Sequence, residues 1–143
     1  MSGTPWSTFS VGDEVANETI HLTRESLVRY AGASGDFNPI HYRDDVAQSV
    51  GLDGVLAHGM LTMGIAIAPV TSWLAGKAMV TSYQVRFTKP LYVPVTGSAG
   101  VTVSVTLHSL GEAPEESATL ALRVINDEGA TVLGKAIAVV STL

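Results

Sequence analysis

Gly59-Met60-Leu61-Thr62-Met63-Gly64-Ile65-Ala66-Ile67-Ala68-Pro69-Val70-Thr71-Ser72-Trp73-Leu74 contains no charged residue. Its large side chains, among them Met60, Leu61, Met63, Ile65, Ile67, Val70, Trp73 and Leu74, go all the way round a helix. A helix that is apolar on every face expects to be buried on every face. A membrane span needs about 20 apolar residues. This segment is shorter and carries Gly64 and Pro69, so it reads as a core helix, kinked or frayed near Pro69.

Beyond Gly76 the hydrophobic period changes to two. Met79, Thr81, Tyr83, Val85 and Phe87 alternate with Val80, Ser82, Gln84, Arg86 and Thr88, which predicts a half-buried strand. Val101, Val103, Val105 and Leu107 alternate with Thr102, Ser104, Thr106 and His108, and Leu120, Leu122 and Val124 with Thr119, Ala121 and Arg123. Between these two strands, Gly111 to Glu116 reads as an acidic loop containing Pro114. Asn126-Asp127-Glu128-Gly129 is a hairpin loop leading into a last strand over 132–140.

Before the apolar helix, Met1 to Ser10 is expected to be loosely ordered. Gly12-Asp13-Glu14 reads as a turn and 19–22 as an edge strand. Thr23 has the character of an N-cap, with Glu25 in the first turn of a helix striped by Leu27, Val28, Tyr30 and Ala31 and ended by Gly32 or Gly35. Asp44 to Val50 gives a second short helix, stopped by Gly51. Helical pieces followed by an antiparallel meander predict an α+β domain, residues 1–143, in which a curved sheet wraps the apolar helix.

Composition excludes several functions. Apolar residues make up 46% of the 143, so a packed core is affordable and disorder is not expected. Net charge is −5 and the 8 basic residues are scattered singly, which argues against nucleic acid as a partner. With no cysteine there is no disulfide, thiolate nucleophile or zinc–thiolate site. The first ten residues show neither the basic nor the apolar region of a signal peptide, and a cytoplasmic location is expected.

The candidate chemistry lies in Gly35-Asp36-Phe37-Asn38-Pro39-Ile40-His41. Pro39 fixes its own φ and pushes Asn38 away from helical geometry, so the segment is a bent, rigid loop. Such a loop can aim Asp36 and His41 into one cleft, and this pair can exchange protons near neutral pH. Taken alone, the seven residues fit equally a turn-capping Asp36 and a half-buried His41 with a backbone partner. The second stretch, Ala57-His58-Gly59-Met60-Leu61-Thr62, raises the catalytic reading, because a glycine there opens the apolar helix.

These two motifs together resemble the MaoC-like dehydratases, or (R)-specific enoyl-CoA hydratases, which have the hot-dog fold. Tyr30-Ala31-Gly32, Thr62-Met63-Gly64, Thr71-Ser72-Trp73 and Val85-Arg86-Phe87 extend the resemblance over nearly the whole chain, towards the catalytic B subunits of actinobacterial (3R)-hydroxyacyl-ACP dehydratases. The resemblance implies that Asp36 and His41 are catalytic. It implies that Gly59 lends its backbone N–H to the thioester carbonyl and that Asn38 supports the acid. Some relatives carry a serine eight residues after that glycine; here the position is Ile67 and no role passes to it.

The physics fits these roles. Dehydrating a β-hydroxyacyl thioester needs a base for the α-proton, an acid for the hydroxyl, and donors for the charge developing on the thioester oxygen. The N–H groups at a helix start can supply roughly 3–4 kcal/mol to that oxygen. His41 is assigned the α-proton and Asp36 the hydroxyl or attacking water; the reverse sharing, or one water held by both, fits the same residues. His58 lines the site or fixes the start of the helix, and Thr62 lines the cleft or bonds its own backbone. His21 and His108 are expected to be solvated. No cofactor or metal is expected beyond the ACP or CoA carrying the substrate. Acyl-thioester hydrolysis, or a non-catalytic acyl-binding subunit, are the rival readings. The last strand, apolar in part on both faces, and the sheet's open edges predict a hot-dog partner chain, as homodimer or heterodimer with a non-catalytic subunit.

Overall fold

The computed structural model describes residues 3–112 and 116–143. Five strands, β1 (Glu14–Leu22), β2 (Ala78–Phe87), β3 (Ala99–Leu110), β4 (Ser117–Asn126) and β5 (Thr131–Thr142), form one antiparallel sheet in the order β1-β3-β4-β5-β2. Helices α1 (Arg24–Ser34), α2 (Asp44–Ser49) and α3 (Gly59–Leu74) all fall between β1 and β2. The meander is β3-β4-β5; β2 crosses to pair with β5. The α+β arrangement of a sheet around the apolar helix is therefore present, and α3 packs on β1, β2 and β3. No helix among the described residues is long and apolar enough to cross a membrane.

The strongest alternation makes the best-covered strand. On β3 the side chains of Val101, Val103, Val105 and Leu107 are fully buried between the sheet's neighbours and the core. β2 has the same period but lies at an edge, and most of its residues are exposed. Tyr83 is tied down by its hydroxyl, which donates to the Met63 carbonyl of α3 at 2.8 Å. Burial pushes that phenol up to about 12.

Thr23 caps α1 as expected, in a capping box with Ser26, and Gly35 ends the helix at φ 77°, a left-handed position that suits glycine. The Arg24 guanidinium leaves the first turn of α1 to form a two-bond pair with Asp44 on α2, at 2.9 and 3.1 Å, and donates to the Val93 carbonyl at 2.7 Å. Asp44 also accepts the Val55 N–H at 3.0 Å. These bonds, with Arg24 first, hold the Asp44 carboxyl below the usual carboxylate range.

Four expectations need correction. Trp6, within the segment expected to be loose, is only 6% exposed and belongs to the core, because a large apolar ring gains by leaving water; Met1 and Ser2 of that segment lie outside the described residues. Glu14 opens β1 rather than closing a turn. α3 runs unbroken through Pro69 and buries one face, Thr62, Ala66, Pro69, Val70 and Leu74, while Met60 is 61% exposed and Gly64, Ala68 and Thr71 are also open. One curved sheet covers only one side of a cylinder. Finally the open edges belong to β1 and β2, while β5, named with the sheet's edges in the expectation of a partner chain, is an inner strand hydrogen-bonded to β4 and β2. Of the expected acidic loop, residues 113–115 lie outside the described residues.

Candidate active site

The loop after α1 shapes itself. The Ser34 hydroxyl accepts the Asp36 N–H at 3.1 Å, Asp36 Oδ1 accepts the Asn38 N–H at 3.2 Å, and Asn38 Oδ1 accepts the Ile40 N–H at 3.3 Å. Pro39 then starts a single 3-10 turn, Pro39–His41. Asn38 thus meets the Asp36 carboxylate through its backbone N–H, while its side chain is spent on the Ile40 N–H.

The reactive pair is brought together. His41 Nε2 stands 3.9 Å from Asp36 Oδ2; the histidine side chain is 9% exposed and the aspartate side chain 49%. His41 Nδ1 donates to the Leu56 carbonyl at 2.8 Å. A carbonyl can only accept, so the proton of neutral His41 sits on Nδ1, and Nε2 presents its lone pair towards Asp36. Here one residue has access to solvent and the other is buried and oriented by a backbone carbonyl.

His58 does more than hold the start of the helix. It is 1% exposed, donates from Nε2 to the Asp36 carbonyl at 3.1 Å, and stacks on the His41 ring at 3.9 Å with 23° between planes. Its ring also lies against that of Tyr30, with ring centres 4.7 Å apart and 64° between the planes. Burial pushes the His58 imidazole below its ordinary value and the neighbouring His41 adds to this, against the opposing pull of the Asp36 carbonyl and charge.

α3 starts beside them. Its first internal bond runs from the Thr62 N–H to the His58 carbonyl, so the N–H groups of Gly59, Met60 and Leu61 precede the helical ladder. The Thr62 hydroxyl returns to the His58 carbonyl at 3.3 Å, the backbone bond that one of its readings expected, and the residue borders a cavity. That cavity, about 270 Å³, also touches Leu56, Gly59, Phe87, Lys89 and Leu133. A Cβ on Gly59 would come within 3.0–3.3 Å of the Phe87 ring. His41 borders a different space of about 220 Å³, apolar, with Leu27, Val28, Phe37 and Tyr42. The single chain thus does not enclose His41 and Gly59 in one cleft.

Asp36, His41 and His58 also form a group whose ligand-type atoms lie within 4.8 Å of one another, which sequence spacing hides. One nitrogen of each ring is already committed to a carbonyl, and the two rings stack. His21 and His108 are exposed, away from this group, as expected.

The family model of the MaoC like domain matches residues 8–116. The chain belongs to this MaoC-like family. It is 35% identical to 3-hydroxyacyl-thioester dehydratase X of Mycobacterium tuberculosis over 77 residues, 54% of this chain but only 26% of that protein. It is 30% identical to the (R)-specific enoyl-CoA hydratase of Rhodospirillum rubrum over 120 residues, covering 78% of this chain and 79% of that one. Among solved structures, a MaoC-like dehydratase superposes with a TM-score of 0.89 at 33% identity, covering 99% of this chain and 43% of that chain. The hot-dog fold expected from the sequence is thereby established. The chain spans about a quarter of the length of the mycobacterial relative.

Three residues that touch the candidate site residues went unassigned in the sequence. Leu56 acts through a backbone carbonyl, which no side-chain pattern reveals. Tyr30 and Phe87 stood in the sequence as part of a helix stripe and the end of a strand, and within stretches that carry the resemblance, but with no role attached.

Proposed function

We propose that the chain catalyses the reversible dehydration of (3R)-hydroxyacyl thioesters, on ACP or CoA, to trans-2-enoyl thioesters, in fatty acid synthesis. The observation that carries this reading is the Asp36–His41 pair, with Nε2 facing the carboxylate because Nδ1 is held by Leu56. The α3 start supplies N–H donors to the thioester oxygen, and Gly59 leaves the approach free of a side chain.

In hydration, a water adds through its oxygen to C3 while its proton passes to the Asp36 carboxylate, and protonated His41 gives its Nε2 proton to C2. Dehydration is the reverse: His41 takes the α-proton and Asp36 returns a proton to the departing hydroxyl. One proton crossing the gap between the two side chains resets the site. Thioester hydrolysis would use the same helix start but has no need of a histidine aimed at the carboxylate, and a purely acyl-binding subunit needs neither.

A partner chain completes the reading. His41 and Gly59 border separate cavities, α3 has an open face, and the β2 edge beside Phe87 is unpaired. A second hot-dog chain, identical or a non-catalytic relative, added at β2 would cover these surfaces. Light scattering of the purified chain at micromolar concentration tests it; a stable, active monomer would overturn this part.

The deciding experiment assays hydration of trans-2-enoyl thioesters on both carriers, thioester hydrolysis, and simple binding, side by side. Hydration should dominate and survive EDTA, because the reading uses no metal. Hydrolysis alone, binding alone, or an EDTA loss restored by metal would overturn it.

A further inference from the structure

We propose that His58 is a positioning residue, a neutral imidazole that sets Asp36 and His41 in register with each other. The inference rests on the dehydratase reading and adds to it a role for a buried ring that touches neither the substrate's path nor solvent.

Two contacts define the role. The Nε2–H of His58 donates to the Asp36 carbonyl, 22 residues away in sequence, at 3.1 Å. Its ring face lies on the His41 ring at 3.9 Å. One residue therefore fixes the backbone from which the carboxylate hangs and the plane in which the base turns. The loop's own bonds join Asp36, Asn38 and Ile40, but none of them reaches α3. His58, immediately before Gly59, links the acid and base to the helix start where the thioester oxygen is to sit.

The choice of histidine is informative. Its Nδ1 is buried and has no hydrogen-bond partner among the described residues. An unpaired buried acceptor is unfavourable, and phenylalanine would fill a similar space without it. The histidine is explained by the Nε2–H donor that phenylalanine lacks. Neutrality is explained by the surroundings. The titratable groups facing His58 are His41, Asp36 and Tyr30. Two stacked imidazolium rings would repel, so a neutral His58 leaves His41 as the ring that carries the proton of the reaction.

The test compares His58→Gln, whose amide nitrogen reaches about as far as Nε2, with His58→Asn, which is one methylene short. With an enoyl thioester substrate, His58→Gln should keep kcat within about fivefold, while His58→Asn should lose about thirtyfold or more with KM changed by less than about threefold, as for misplaced catalytic groups. Thermal unfolding confirms that each variant is folded. A folded His58→Asn with kcat near that of the unaltered protein, or equal losses in both variants, would overturn the proposal. Nitrogen-15 NMR of the imidazoles gives an answer independent of turnover. His58 of the unaltered protein should remain the neutral Nε2–H form as pH falls from about 8 to about 6; its conversion to imidazolium in that range would overturn the proposal. If the unaltered protein hydrates no enoyl thioester on either carrier, the dehydratase reading fails, and the NMR result still decides the state of His58.

Discussion

The loop Gly35–His41 and the segment leading into α3, Leu56–Gly59, meet at one site but are built in opposite ways. The loop is held by bonds between residues two apart and is largely exposed at Asp36, Phe37 and Asn38. The α3 start is buried and held from a distance. The Ala57 N–H donates to the Leu91 carbonyl at 2.8 Å, the Leu56 N–H to the Ile40 carbonyl at 3.4 Å, and the Val93 N–H to the Val55 carbonyl at 3.0 Å. The reactive side chains ride on the self-shaped loop, while their orientation comes from the borrowed region, through the Leu56 carbonyl and the His58 ring. A local segment can carry reactive groups cheaply; aiming them takes a rigid support from elsewhere.

The largest expected effect comes from removing the loop's chemistry. Asp36→Asn and His41→Ala should each lower turnover by about a hundredfold or more with the fold intact, as expected for lost acid–base catalysis. Steady-state kinetics with circular dichroism checks this, and a folded variant with near-native turnover would refute the role given to that residue.

Altering the borrowed region should cost less. Gly59→Ala puts a Cβ 3.0–3.3 Å from the half-exposed Phe87 ring and narrows the approach to the helix start. The N–H remains, so kcat/KM should fall only about tenfold, short of the loss expected when an oxyanion donor is removed. Restoration by Gly59→Ala combined with Phe87→Ala would show that crowding is the cause; no restoration would assign the loss to the backbone.

A milder change separates shaping from aiming within the loop. Asn38→Ala removes the acceptor for the Ile40 N–H, an exposed bond, and should cost about 0.5–1.5 kcal/mol of stability at most. Activity should fall by about threefold to tenfold if the Asp36 position relaxes. Equal kinetics in the two proteins would mean that Pro39 and His58 alone hold the loop.

The smallest effects concern pH. Asp44 has a lowered pKa in the fold, so its contribution is present above its ordinary value of 3.8 and is lost as pH falls through the lower folded value. Asp44→Asn should lower Tm at neutral pH, and the gap to the unaltered protein should close below pH 3.8. Tyr83 has a raised pKa, so its contribution is present below 10.0 and declines as pH rises from there to about 12. Tyr83→Phe should lose about 1 kcal/mol at neutral pH and show a flatter alkaline limb. Calorimetry across pH checks both, and parallel curves would refute them.

The sequence by itself determined whatever depends on short range. Pro39 shapes the loop, Thr23 starts α1 and Gly32 or Gly35 ends it, and the uncharged apolar run that holds 59–74 marks the central helix. The period of two located β2 through β5. The edge position of β1 was legible, but only the tertiary structure decided that β2 is the other edge, because Tyr83 and Val103 share a periodicity whether or not a neighbour lies beside them. It also decided that Trp6 is core, that α3 keeps an open face, and that His58 reaches back 22 residues to Asp36. Burial and long-range hydrogen bonds depend on what folds up alongside, and a linear pattern records only which residues are suited to them.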